Sequence, residues 1–363
     1  MVLRSLACLL RHISHSHFAP TFLQGYWRGD VKLLMDDAKV FQPTIFMAVP
    51  RILERVSDGV QTKLAAGSSV LRGLFNGAFA LKRALLNAGL SHWASGLLTN
   101  FTFSSIRGAL GGRVRFIVSG GAPLPAHVEE FCSCCLAPVL QGYGLTESCA
   151  ASFICLPDPA MANTVGPPLK STEFRLESVP DLQYDALADP PKGEILLRSP
   201  MLFSEYFKDP EKTREVIDAD GWFHTGDVGT ITHHGCLKII DRTKNIWKLS
   251  QGEYIAVEYL EGIYSRSPSV EQIWVYGDSQ HAFLVAVVVP KHAARGLQES
   301  EILKELSQTC TAAKLKGFER IKAIHLESEP FSVENDLLTA TLKMKRPQLK
   351  KKYGKEISAM YGA

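Results

Sequence analysis

Asp220-Gly221-Trp222-Phe223-His224-Thr225-Gly226-Asp227-Val228-Gly229 is followed by Leu237-Lys238-Ile239-Ile240-Asp241-Arg242-Thr243-Lys244-Asn245-Ile246 and then by Leu249-Ser250-Gln251-Gly252-Glu253. Acidic, basic and glycine residues thus come in three clusters separated by short, strand-like apolar runs. A carboxylate such as Asp227, following Gly226 at the end of a strand, can accept both hydroxyls of a ribose; the alternative is a turn aspartate. Arg242 carries a fixed charge and several N–H donors, suited to ribose and phosphate oxygens. Lys244 falls where a joint between domains would pivot, and Gly252 lies in a tight loop that a second substrate could approach. The layout suits a nucleotide held between a strand edge and a mobile joint. His224 and Asp227 can also be imagined as metal ligands, but no third ligand stands near them in the sequence.

Two glycine turns lie upstream. Ser119-Gly120-Gly121-Ala122-Pro123-Leu124 follows a strand-like run, and its small residues let backbone approach a flat ring closely. Such a turn on its own is commonly just a turn. In Gln141-Gly142-Tyr143-Gly144-Leu145-Thr146-Glu147 the tyrosine between two glycines could stack on a base. Thr146 and Glu147 offer hard oxygen donors of the kind Mg²⁺ takes, although an isolated Glu147 also reads as a capping or surface acid. Near the end, Leu342-Lys343-Met344-Lys345-Arg346-Pro347 sets cations on a loop before a basic helix. From Lys343 to Lys355 there are seven basic residues and no acid, which reads as a solvated face or a patch for an anionic membrane.

The elements that must position these groups follow from pattern. Thr44–Val49, continuously apolar between two prolines, predicts a buried parallel strand after a helix over Val31–Val40, with a long helix from Pro50. Residues 67–110 read as helix-rich with glycine breaks. Arg113–Ser119 and Pro138–Leu140 predict strands that run into the two glycine turns, with a helix over Pro125–Cys135 between them. This strand–turn–helix rhythm predicts α/β layers with a site at the carboxyl ends of the strands. From residue 164 the texture changes to short strands, Glu173–Glu177, Glu194–Arg198, Val228–Thr232 and Leu237–Ile240, as in a small β subdomain. Asp241–Asn245 is charged and aperiodic, a candidate joint. Beyond it, an antiparallel pair (Val270–Tyr276, Phe283–Val289), a helix (Ser300–Lys316) and a strand (Ile321–Leu326) predict a compact α+β module.

The chain has 363 residues, 46% hydrophobic and 21% charged, a soluble globular composition with room for two domains. A net charge of +3 is too small to argue for nucleic acid. Eight cysteines do not make a disulfide framework. Cys132 and Cys135 have the spacing of a metal-binding pair but lack a second pair, so the cysteines read as buried reduced thiols, pointing to a compartment such as the cytosol. No run of 18 apolar residues exists, so no spanning helix is expected. The first 25 residues, with Arg4, Arg11, three histidines and no acid, read as an atypical leader or a weak organelle-targeting segment.

Each motif is modest alone. In this order, however, the blocks at 119–124, 141–147, 220–229, 238–261 and 337–349 resemble the long-chain acyl-CoA synthetases of the adenylate-forming, AMP-binding superfamily. Gly25–Asp30 and Pro43–Arg55 look like that family too, and Leu176–Pro180 with Tyr184–Leu187 most resembles its plant-type members. The resemblance spans about residues 26–361. It implies an α/β fold: the C-terminal part of the adenylate-forming large domain over 25–241, followed by a compact α+β swivelling domain over 242–363.

The activity implied is ATP-dependent ligation of a long-chain fatty acid to CoA through an acyl-adenylate. ATP, Mg²⁺ and CoA would be needed, and nucleic acid would not. The expected place is the cytoplasm, with peripheral attachment to the endoplasmic reticulum or another organelle membrane. Gly120, Gly121, Ala122 and Pro123 would line the adenine pocket, with Gln141, Gly142, Tyr143 and Gly144 beside the ring. Thr146 and Glu147 would organise Mg²⁺ and phosphate. Asp227 would hold the ribose, and Arg242 ribose or phosphate oxygens. Lys244 would be the pivot, Gly252 would open the path for pantetheine, and Lys343 would be the adenylation lysine, with Lys345 a close neighbour. The chain departs from the pattern in lacking the family's Ser/Thr/Gly-rich phosphate loop ending in Pro-Lys-Gly, and in having Ala340 where the family has proline. The expectation is an N-terminally shortened member. A relative that only binds adenine nucleotide or a partner, or a ligase for a different acid, stands as the alternative.

Overall fold

The computed structural model describes residues 23–30, 33–88, 102–339 and 342–362. The leader expected over 1–24 lies almost wholly outside these residues, as do Ala340 and part of the helix-rich stretch. Packing divides the described chain into two compact units. One comprises the chain up to Glu173 with 198–215 and 231–238; the other comprises 174–197, 216–230 and the chain from Ile239 onward.

In the first unit, α1 (Leu34–Phe41) precedes β1 (Ile45–Ala48), and Pro50 opens α2 (Pro50–Ala66) at its first turn, where a missing N–H costs nothing. The side chain of Ser68 caps α3 (Ser69–Asn87) by accepting from the Leu71 N–H at 3.3 Å. A short α4 (Ser104–Gly108) leads to β2 (Phe116–Gly120), α5 (Ala126–Cys135), β3 (Val139–Tyr143) and β4 (Phe153–Ile154). The four strands form one sheet in the order β1-β2-β3-β4, parallel up to β3, with β4 antiparallel. The inner strand β2 is buried at Ile117, Val118 and Ser119, which is why it opens on an apolar run, Phe116 to Val118, with no charged residue. On α5, Val128, Phe131, Cys132, Cys134 and Cys135 are buried. Phe131 stands 6.3 Å from Phe79, which stacks on Phe75 at 6.1 Å; Phe75 meets the edge of Phe103 at 5.6 Å. This aromatic chain ties α3 and α5 together. The short α6 (Pro210–Val216) lies largely in this unit.

Most of the second sheet, in the order β5-β6-β7-β8, lies in the second unit. Its strands are Glu173–Glu177, Lys192–Arg198, Phe223–Ile231 and Leu237–Arg242. The strand expected over Val228–Thr232 therefore begins five residues earlier, so Gly226 and Asp227 sit within β7 rather than at its approach. The pairing explains the difference. Glu194 pairs with Val228 and Leu196 with His224, so Ile195 of β6 faces all of 225–227 on β7. This bulge, with Gly226 at φ +68°, breaks the two-residue period by which strands are read.

A hairpin of β9 (Ile246–Lys248) and β10 (Tyr254–Ala256) is followed by α7 (Val257–Tyr264) and by a three-stranded sheet, β11-β12-β13. Its strands are Val270–Tyr276, Leu284–Pro290 and Ile321–Leu326. β11 and β12 are antiparallel, β12 and β13 parallel. On β12, Leu284, Ala286 and Val288 pack with α7 and α8 (Glu299–Ala312). Val285, Val287 and Val289 face the other way, into a core with α9 (Arg346–Lys352) and α10 (Gly354–Gly362). Alternate residues thus enter two separate cores, and a strand buried on both faces is apolar throughout.

Candidate functional site: glycine strand ends and a carboxylate–arginine pair

In the first unit, parallel pairing sets Ser119 against Gln141 and Gly120 against Gly142. The two glycine turns therefore leave the sheet side by side, at the carboxyl ends of neighbouring strands. A Cβ on Gly120 would meet the Gly142 carbonyl at 3.3 Å, and one on Gly144 would meet the Ala150 carbonyl at 2.4 Å. Gly121 has φ +88°, which side chains rarely tolerate. Ala122 and Pro123 are exposed, and Tyr143 is half-buried with its ring 6.0 Å from Phe153. Gln141 is buried and donates to Glu129 Oε2 at 2.8 Å, while Asn163 N–H donates to the same carboxylate at 3.1 Å. Burial pushes the Glu129 carboxyl up to about 7 against the pull of those two donors.

Thr146 and Glu147 open a one-turn 3₁₀ segment after the second glycine turn; Thr146 is exposed and Glu147 half-buried. Tyr206 Oη donates to Glu147 Oε1 at 2.8 Å, and the Phe203 N–H donates to the Glu147 carbonyl at 2.7 Å. Burial, then the Glu147 carboxylate, push the Tyr206 phenol up to about 12, so it stays a donor. Sequence reasoning missed Tyr206, 59 positions away, and no local spacing could have revealed it.

In the second unit, the bulge of β7 turns Asp227 into an almost closed position, 4% exposed. Three bonds hold that bulge: Gly226 N–H to Glu194 Oε1 at 2.9 Å, Thr225 Oγ1 to the Ile195 carbonyl at 2.7 Å, and Thr243 Oγ1 to the Gly226 carbonyl at 3.0 Å. From the end of β8, Arg242 brings Nε to 2.9 Å from Asp227 Oδ1 while its side chain remains 53% exposed. The structure thus joins Asp227 and Arg242, 15 positions apart in the sequence.

A buried polar cluster fixes this strand end. Asp241, 1% exposed, accepts from its neighbour Arg242 N–H at 2.7 Å and from Glu258 N–H, at the start of α7, at 2.9 Å. Burial, then Glu258, push the Asp241 carboxyl up to about 7, with Arg346 among the groups opposing. Arg346 grips Glu261 in a two-bond fork of 3.0 and 2.7 Å and stands 3.9 Å from Glu258. Burial opposes its charge, but Glu261 and Glu258 outweigh that and hold its pKa above the ordinary value. Lys244 is exposed in a 3₁₀ turn, Thr243–Asn245, and Gly252 has φ +92° in the loop closing the β9–β10 hairpin.

The two candidate lysines differ. Lys345 Nζ is committed to Asp336. Lys343 is exposed yet lies in the fields of Arg242, Glu258 and Asp227; partial desolvation first and Arg242 second push its ammonium below the usual range, against the two carboxylates. The free cysteines Cys132, Cys134, Cys135 and Cys155 are buried. Burial raises their thiols, Cys132 to about 12 and Cys134 to about 11, so they are inert rather than nucleophilic.

The sequence profile of the AMP-binding enzyme family matches residues 14–207, and that of the AMP-binding enzyme C-terminal domain matches 259–330. The chain belongs to the AMP-binding enzyme family. It is 49% identical over 359 residues to "Long chain acyl-CoA synthetase 3" of Arabidopsis thaliana, covering 93% of this chain and 54% of that protein. It is 41% identical to "Fatty acyl-CoA synthetase A" of Dictyostelium discoideum, over 93% of this chain and 54% of the relative. The chain thus spans about half the length of the curated relatives it matches. Among solved structures, it superposes on the adenylation domain of a carboxylate reductase from Mycobacterium chelonae with TM-score 0.77 and 32% identity, over 92% of this chain and 49% of that one. The corresponding domain from Segniliparus rugosus, solved with AMP and a co-purified carboxylic acid, gives TM-score 0.73 and 30% identity, over 93% and 50%. The expected α/β adenylate-forming fold is borne out by these neighbours and by the sheets. Among the described residues, no helix is long and apolar enough to cross a membrane.

Proposed function

We propose that the chain carries the nucleotide-binding and lysine-delivering parts of a long-chain fatty acid–CoA ligase. The observation that supports this most strongly is the nearly buried Asp227 carboxylate paired with the half-exposed Arg242. A carboxylate whose partner is still open to solvent can exchange that contact for two ribose hydroxyls, while the guanidinium moves to ribose or phosphate oxygens. In the first unit, Gly120–Pro123 and Gln141–Gly144 present bare backbone and the Tyr143 ring to a purine.

Thr146 and Glu147 suit Mg²⁺: both donors are hard oxygens, and Tyr206 occupies only Oε1 of the Glu147 carboxylate, fixing that side chain in place. Bound there, Mg²⁺ would neutralise phosphate charge. Lys343 is the residue we assign to the charge that develops at the α-phosphate, because Lys345 is committed to Asp336. Lys244 is the proposed pivot of a swivelling domain over 242–363, and Gly252 the opening for pantetheine. The last turn of α9, Lys350 to Lys352, would supply peripheral contact with an anionic organelle membrane.

A second reading, a protein that binds adenine nucleotide without turnover, rests on the same Asp227–Arg242 pair, which needs only a nucleotide and no acyl acceptor. One assay separates the two. The chain is supplied with ATP, Mg²⁺, palmitate and CoA, while AMP binding is followed by calorimetry. The ligase reading expects palmitoyl-CoA, with adenylate formation lost in Lys343→Ala and retained in Lys345→Ala. AMP binding that Asp227→Ala abolishes, without any thioester, selects the second reading. AMP binding unchanged by Asp227→Ala overturns the ribose assignment in both.

A further inference from the structure

Three strands of the second sheet carry a cluster that nucleotide binding does not use. Glu177 ends β5, Glu194 lies on β6 and His224 on β7. One ligand atom from each lies within 4.8 Å of the others. His224 Nδ1 is 3.7 Å from Glu177 Oε2 and 3.7 Å from Glu194 Oε2. We infer that Glu177, Glu194 and His224 form a site for one divalent transition-metal ion of the zinc type, separate from the Thr146–Glu147 pair. The inference does not depend on the ligase reading.

The distances suit such an ion. Zinc binds imidazole nitrogen and carboxylate oxygen at about 2.0–2.2 Å, and a tetrahedron of such bonds sets its ligand atoms about 3.4 Å apart. Closing the two 3.7 Å histidine–glutamate distances, and a Glu177–Glu194 separation of at most 4.8 Å, to that spacing needs side-chain movements alone. The donors also stand on paired strands rather than on loops, which limits the entropy lost on binding.

The surroundings are already arranged as metal sites require. Glu194 spends Oε1 on the Gly226 N–H at 2.9 Å, which fixes its rotamer with Oε2 toward His224. On the other side of the imidazole, Nε2 is 3.8 Å from Asp218 Oδ2. Asp218 is itself held: Oδ1 accepts from Asp220 N–H at 3.0 Å and Trp222 N–H at 2.8 Å, and Arg175 Nη2 lies 3.5 Å from Oδ2. A carboxylate behind the far nitrogen is the usual device for orienting a ligating histidine. One imidazole with two carboxylates favours zinc, cobalt or nickel over magnesium and calcium, which prefer oxygen alone. Glu177 is half-exposed, so solvent can supply the fourth ligand. The nearest rival is a plain cluster of His224 with the carboxylates, with no preference for zinc.

Chelator-treated protein titrated with ZnCl₂ by calorimetry, and with Co²⁺ by visible absorption, decides between them. The chain holds 11 histidines and eight cysteines, so the quantity read is the difference between variants. His224→Ala should lose one equivalent of zinc. Glu177→Gln, at an exposed position, should bind that equivalent at least tenfold more weakly, and Asp218→Asn about 10–100-fold more weakly. Far-UV circular dichroism establishes that Glu177→Gln is folded. If His224→Ala and Glu177→Gln each bind zinc with wild-type stoichiometry and affinity, the site does not exist and the plain cluster stands.

Discussion

Arg242 Nε lies 2.9 Å from Asp227 Oδ1, yet the arginine side chain is 53% exposed and the aspartate 6%. The inequality has a mechanical meaning. The aspartate is fixed by the bulge of β7, and the arginine is the member free to leave.

That asymmetry predicts different costs for function and stability. Removing Arg242 leaves the nearly buried Asp227 carboxylate without its guanidinium, a loss of about 1–3 kcal/mol. Arg242→Ala should therefore lower the melting temperature by about 2–4 °C for each kcal/mol lost. AMP affinity, read by calorimetry on the same samples, should fall at least tenfold. A large thermal loss with unchanged AMP affinity would assign Arg242 to the scaffold.

Arg346 should behave in the opposite way. Its side chain is 15% exposed and that of Glu261 is 9% exposed, so Arg346→Ala strands a buried carboxylate. The expected loss is about 3–5 kcal/mol in urea denaturation. Arg346→Lys should recover only part of it, because an ammonium cannot reproduce the two-bond fork. Full recovery by lysine would show that charge alone matters there.

Glu129 predicts a pH dependence of definite sign. Its carboxyl is raised from 4.5 to about 7, so the folded state holds a proton that the unfolded state has lost. Stability from this group is complete below about pH 4.5 and is lost as pH rises to about 7. Glu129→Gln keeps an acceptor for Gln141 and removes the titration. Relative to wild type, the variant should gain up to about 3 kcal/mol between pH 5 and 8, then level off. Urea midpoints across that range test it, and a difference independent of pH would refute it.

Much of this fold is legible from local pattern. Glu173–Glu177, Val270–Tyr276 and Ile321–Leu326 are strands with the bounds their alternation or apolar run predicts. The helix expected over Ser300–Lys316 runs from Glu299 to Ala312. The pattern fails where backbone geometry departs from a simple period. β7 is hidden by its bulge, and Asp241 and Arg242, read as an aperiodic joint, complete β8. The candidate site is legible in its ligand-facing residues because these are contiguous motifs. Their supports are not: Tyr206 behind Glu147, Glu129 behind Gln141, and Arg346 behind Glu258 and Glu261 are joined only by folding. His224 illustrates the same limit. The sequence offers no third ligand beside it, and strand pairing brings two glutamates to its ring.

The register of Gly120 against Gly142 also constrains how this surface can diversify. A side chain at Gly144 would collide with the Ala150 carbonyl and one at Gly120 would press on the Gly142 carbonyl, whereas Gly142 itself leaves ordinary contact room, so Gly144 is closed to ordinary point substitution and Gly120 is tight. The exposed flanks Ala122 and Pro123 are open to change. Descendants of this chain that acquire a taste for a different base should therefore have drifted at the rim, over a floor that stayed bare.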